Sequence, residues 1–88
     1  MLQIITKEFI EKFKKLENVI ADVFIKHLLY GNQNIKRCVL HPFVDGDCIG
    51  LNINEEMIYI TMDELLSTSA SKNEYVIKGE VMELHIIL

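Results

Sequence analysis

Cys38, His41, Asp45, Asp47 and Cys48 fall close together in the chain, and cysteine, histidine and aspartate are the side-chain types that bind zinc. His41, Cys48 and Tyr59 could alternatively form a thiol or acid–base site. Spacing tests both ideas. Residues three apart on a strand face opposite ways, so Cys38 and His41 do not converge on one ion. Nothing basic stands near Cys48 to lower its thiol pKa. The chain has no phosphate-binding glycine loop, no nucleophile elbow, no H-E-x-x-H and no paired C-x-x-C. No metal and no cofactor is therefore expected. A small metal- or thiol-dependent enzyme built on His41, Cys48 and Tyr59 is the alternative to a binding protein.

Those residues belong to positions 37–61, RCVLHPFVDGDCIGLNINEEMIYIT, which read as a three-stranded antiparallel meander. A type I′ turn at Asp45-Gly46 pairs Phe43 with Cys48, His41 with Gly50 and Leu40 with Leu51. A second turn at Asn54-Glu55 pairs Leu51 with Ile58 and Ile49 with Ile60. Cys38, Leu40, Ile49, Leu51, Ile53, Ile58 and Ile60 then share a core face. The other face carries Val39, His41, Phe43, Cys48, Asn52, Met57, Tyr59 and Thr61, with Gly50 between His41 and Tyr59. It is too apolar to be left wholly to water. Val39, His41, Phe43, Cys48, Met57 and Tyr59 are the expected partner-binding residues. Cys38 and Cys48 lie on opposite faces, so no disulfide joins them.

Upstream, Thr6 is a helix N-cap with Glu8 in the first turn. Phe9, Phe13, Leu16, Ile20, Val23 and His27 follow at helical spacing, and Gly31 is the stop. This predicts a long helix, with a break near Glu17-Asn18 as the variant. His27 would sit against the negative end of its dipole. Residues 19–29, VIADVFIKHLL, are apolar nearly all round, and a helix of that kind is buried all round. Val19, Phe24, Ile25, Leu28 and Leu29, with Ile87 on the last strand, are accordingly the expected oligomer interface. Downstream, Thr61 and Glu64 form a capping box that predicts a short helix over 62–69. Residues 67–73 read as a polar loop. Residues 74–88 read as a hairpin at Lys78-Gly79, pairing Tyr75 with Met82, or as one kinked strand. The expected architecture is a single α+β domain over 1–88. It has a long N-terminal helix on an antiparallel sheet of four to five strands, a short second helix and a C-terminal β strand or hairpin.

The chain has 88 residues, half of them hydrophobic, and a net charge of −4. That balance disfavours nucleic-acid binding, which needs cations on phosphates. No run is long and apolar enough to span a membrane, and residues 1–5 show no signal-peptide pattern. A cytoplasmic protein with reduced cysteines is expected. The helix–meander–helix order is similar to the double-stranded-RNA-binding domain. Here, though, the second helix would begin Met62, Asp63, Glu64, where that family has basic residues. Phe43, Gly46, Cys48, Leu51, Ile53, Ile58 and Ile60, with the strand around residues 74–81, resemble the sheet of the small acidic chaperones of type III secretion, which implies a homodimer holding an extended partner. The expected function is a small acidic, non-catalytic protein-binding module of adaptor, chaperone or inhibitor type. Its partners would be another protein and a second copy of itself.

Overall fold

The structure, a computed structural model, describes residues 5–88. The absence of a signal peptide in residues 1–5 is a reading that falls almost wholly outside them. The described chain runs α1 (Lys7–Lys14), β1 (Ile20–His27), β2 (Gly31–Val39), β3 (His41–Val44), β4 (Cys48–Ile53), β5 (Glu56–Thr61), β6 (Leu65–Ala70), β7 (Glu74–Gly79) and β8 (Met82–Ile87). One sheet has the strand order β2-β1-β8-β7-β6 and the other β3-β4-β5. All pairings are antiparallel. Between the sheets lies one cluster: Val23, Ile77, Leu84 and Ile86 come from the first, Ile49, Leu51 and Ile60 from the second.

The expected long helix on a single sheet is therefore wrong. Thr6 does cap α1, its Oγ1 accepting from the Phe9 N–H at 3.0 Å, and Phe9, Phe13 and Leu16 are buried. The helix ends before Asn18, whose φ of 65° is left-handed and stops helical propagation. Residues 19–29 then form a strand and its turn. Val19, Ile20, Val23, Phe24 and Ile25 are β-branched or aromatic, types that suit a strand. Their burial alternates, with Ala21, Val23 and Ile25 inward. The stretch looked apolar all round because β1 is an interior strand, flanked by β2 and β8.

The expected second helix is also absent. Thr61 accepts from the Glu64 N–H at 3.0 Å, so the capping pattern makes a single turn. The chain then leaves as β6, pairing with β7, and the predicted polar loop over 67–73 is mostly strand. The C-terminal segment is a hairpin, but Tyr75 pairs with Ile86 and Lys78 with Glu83. That register replaces the like-charge pair Glu74–Glu83 with an opposite one. With the second helix gone, the order shared with the double-stranded-RNA-binding domain is gone too.

Irregularities set the phase of the sheets. Between Ala21 and Val23 the β1–β2 register shifts, with Arg37 at φ 49°. Asp22 Oδ1 accepts from the Arg37 N–H at 2.8 Å. This bulge lets Ile35 and Cys38 face the same side although three positions separate them. Beyond it, Leu40 turns the chain from one sheet into the other. Its N–H donates to Val19 O, and its carbonyl accepts from Asn18 N, both at 2.9 Å.

The two meander turns differ in type. Asn54 and Glu55 both have positive φ, 51° and 69°, which is the type I′ turn, and β4–β5 pairs Leu51 with Ile58 and Ile49 with Ile60. At the first turn neither Asp45 nor Gly46 has positive φ. Asp45 Oδ1 instead accepts from the N–H groups of Asp47 and Cys48 at 2.8 and 2.9 Å, an Asx turn. The pairing is displaced by two residues, to Phe43 with Gly50 and His41 with Asn52. A shift of two leaves every side chain on its face.

Glutamate tolerates the left-handed region poorly. Glu55→Gly should stabilise the fold by about 1 kcal/mol and raise the melting temperature by roughly 4–8 °C, read by thermal unfolding followed by circular dichroism.

Candidate partner-binding surface

Outward side chains of β3, β4 and β5 stand in rows fixed by the register. His41, Asn52 and Met57 form one row, Phe43, Gly50 and Tyr59 the next, and Cys48 with Thr61 the third. Met57 is 57% exposed and Tyr59 47%, while Phe43 and Cys48 are half-buried. Val39 is exposed but lies at the end of β2, in the other sheet. Gly50 is flanked by Phe43 and Tyr59, not by His41. A Cβ there would overlap the Ile58 carbonyl oxygen and come within 2.6 Å of Tyr59 Cα. Close approach of β4 to β5 requires glycine at this position.

These rows separate the residues of the alternative enzyme reading. His41 and Cys48 are two rows apart, about 14 Å along the strands. His41 is instead engaged with Glu17 at 2.6 Å, across the surface to the end of the helical region. Cys48 Sγ donates to Asp45 Oδ2 at 3.8 Å. Partial desolvation, then the Asp45 carboxylate, push its thiol pKa up, which disfavours the thiolate. Asp45 itself is held below the usual carboxylate range by the Asp47 and Cys48 N–H groups. Cys38 is buried, with its pKa raised by desolvation and its Sγ donating to Ala21 O at 3.3 Å. Both cysteines are free. Among the described residues no group of three or more His, Cys, Asp or Glu is placed to hold a metal ion.

The edges of the sheets are guarded unequally. Helix α1 packs against β3 and β6, an edge strand of each sheet, and β3 also carries Pro42. The β2 edge is bulged and bears Lys36 and Arg37. Such bulges, charges and prolines are the usual protection of strand edges. The remaining edge, β5, reads EMIYIT, without proline, lysine or bulge.

Which β5 groups face outward follows from the hairpin. In a two-residue hairpin, the residues flanking the turn form a hydrogen-bonded pair and alternate pairs do not. Ile53–Glu56, Leu51–Ile58 and Ile49–Ile60 are thus the bonded pairs. The next such position agrees, with Met62 N donating to Asp47 O at 2.8 Å. The N–H and C=O groups of Met57 and Tyr59, with the N–H of Thr61, point away from β4, toward the open edge, while the Thr61 carbonyl is taken by the Glu64 N–H. Alongside runs a groove of about 310 Å³, lined by Ile25, His27, Tyr30, Met57, Tyr59 and Met82 among others.

The six expected interface residues are dispersed. Ile25 is in the core, turned inward by β1, and is reached only at the floor of that groove. Val19 packs against the core. Phe24 and Ile87 lie on the outer face of the five-stranded sheet. Leu28 and Leu29 are exposed at the β1–β2 turn with Tyr30. His27 ends a strand and not a helix. Its Nδ1 accepts from the N–H groups of Leu29 and Tyr30 at 3.1 and 3.3 Å.

The outer face of the five-stranded sheet centres on His85, between Phe24 and Val76. Its Nδ1 lies 3.2 Å from Glu74 Oε2 and its Nε2 3.0 Å from Glu83 Oε1. The His85 hydrogen bond, aided by Lys78 and Lys26, holds Glu83 below its ordinary value of 4.5.

A lowered folded pKa contributes stability above the unfolded value and loses it as pH falls through the folded one. Wild type should therefore lose stability below about pH 4.5. Glu83→Gln should be less stable at neutral pH and flatter through that acid range, read by denaturant titrations at several pH values. Gly50→Ala should cost about 3 kcal/mol or more through overpacking, read by the same titrations at neutral pH.

Among the described residues no helix is long and apolar enough to cross a membrane. No family model, no curated protein and no solved structure matches this chain.

Proposed function

We propose that this chain is a non-catalytic protein-binding module that takes an extended segment of its partner as an added strand along β5. The observation that carries this reading is the unguarded edge: Met57 and Tyr59 direct backbone N–H and C=O groups outward beside an apolar groove, with the Thr61 N–H beyond them. Strand addition uses such an edge for affinity, with main-chain hydrogen bonds, and uses adjacent pockets for alternate side chains. Met57, Tyr59 and Tyr30 supply the apolar and aromatic contacts that interfaces favour. The net charge of −4 favours a segment carrying lysine or arginine, guided by Glu55 and Glu56 at the start of the strand. Adaptor, chaperone and inhibitor roles all draw on this one capability.

Tyr59→Pro removes an outward N–H and no bond of the β4–β5 ladder, as proline on an edge can. Peptides selected from a random display library against the wild-type protein should bind it and lose about tenfold or more in affinity to Tyr59→Pro. Isothermal titration measures that loss, and circular dichroism checks that the fold is retained. Selection that yields no binder, or binders indifferent to the proline, would contradict strand addition.

A further inference from the structure

The outer face of the five-stranded sheet carries its charges in an order that fits a second copy of itself. The pairings place Lys26, Glu83 and Lys78 in one row across β1, β8 and β7. Phe24, His85 and Val76 form the middle row, and Asp22, Ile87 and Glu74 the third. Along β1 the sign runs from negative at Asp22 to positive at Lys26. Along β7 it runs from negative at Glu74 to positive at Lys78. The face is polarised in the strand direction and nearly balanced, with three carboxylates against two lysines, although the whole chain is acidic.

We propose that this face joins two copies of the chain in a symmetric dimer whose two-fold axis lies along the Phe24–His85–Val76 row. Rotation about that axis lays the lysine row of one subunit over the acidic row of the other. Lys26 then meets the partner's Asp22, and Lys78 meets the partner's Glu74, each contact occurring twice by symmetry. Phe24 packs on the partner's Phe24, Val76 on the partner's Val76, and the exposed Ile87 covers the partner's Glu83 stem; His85 meets the partner's His85 under either in-plane axis and does not separate them. The alternative in-plane axis, along the strands, sets Lys26 against the partner's Lys78 and Asp22 against the partner's Glu74. Like charges facing each other oppose that arrangement. Sheets stack face to face with strands nearly aligned, as this axis requires.

The middle row is already organised for contact. His85 is pinned by Glu74 and Glu83 and packs edge-on against Phe24 at 6.1 Å between ring centroids. Neutral Asn32 and Asn34 on β2 and Ser67 and Ser69 on β6 flank the rows, so no unmatched charge crowds the margins there. Beyond them Lys36 lies 3.7 Å from Asp22, adding positive charge on the acidic side. This surface is distinct from the β5 edge, so dimerisation and peptide capture stand or fall separately.

Sedimentation equilibrium of the full chain should show a dimer with a dissociation constant on the order of 10 µM or tighter. Lys78→Glu and Glu74→Lys should each weaken self-association by about tenfold or more, since each sets like charges face to face. An equimolar mixture of the two variants should recover the dimer, because the substituted Glu and Lys then oppose one another. Lys26→Glu gives an independent check should Glu74→Lys melt at markedly lower temperature. A wild type that stays monomeric at about 100 µM, some tenfold above that constant, would overturn the proposal. So would a dimer that survives Lys78→Glu and Lys26→Glu, or one abolished by Tyr59→Pro.

Discussion

The structure depends on the backbone clamp at Leu40. That residue's N–H and C=O bond to Val19 and Asn18 while its side chain is wholly buried. One position thereby ties the exit from the helical region, the entry to β1 and the corner where β2 becomes β3. A strand that changes sheets leaves its ladder for a residue, and a buried unpaired backbone group there would be costly. The clamp satisfies both groups at the crossing. With the corner held, Phe9 and Phe13 stack at 5.7 Å and Phe9 tilts against Tyr75 at 6.0 Å, plugging the core from one side.

That closure leaves an asymmetry. The helix spans the β3 and β6 edges, the bulge and its charges protect β2, and β5 faces an open groove. A chain this short buries only about 60–65% of its unfolded surface. Its surplus apolar side chains must appear somewhere. They appear at Met57 and Tyr59 on β5, at Leu28, Leu29 and Tyr30 beside the groove, and at Ile87 on the opposite face. The proposed binding edge and the proposed dimer face each take up part of that surplus.

Local signals were legible where a short-range interaction decides the outcome. The Thr6 cap, the buried Phe9, Phe13 and Leu16, and the β4–β5 register about Asn54-Glu55 all follow from neighbours within a turn. Residues 19–29 mimic a helix because Phe13, Leu16, Ile20, Val23 and His27 match a helical period while β1 adds Ile20 and Phe24 on its outer face to Ala21, Val23 and Ile25 on its inner one. Pairing of β1 with β8, some sixty positions away, outweighs that local pattern. The bulge that rephases Cys38, and the register shift between Leu65 and Ser67 where β6 meets β7, leave no mark in composition. Alternation placed Met57 and Tyr59 on one outer face, but an edge is open only if no other strand pairs there, and that is a property of the whole topology.

Amide hydrogen exchange across β5 in the free protein tests the open edge most directly. The account predicts fast exchange at Met57, Tyr59 and Thr61 and slow exchange at Ile58 and Ile60, an alternation produced by a ladder on one side only. Uniform protection along the strand would mean that β5 is already paired on both sides and would contradict the account.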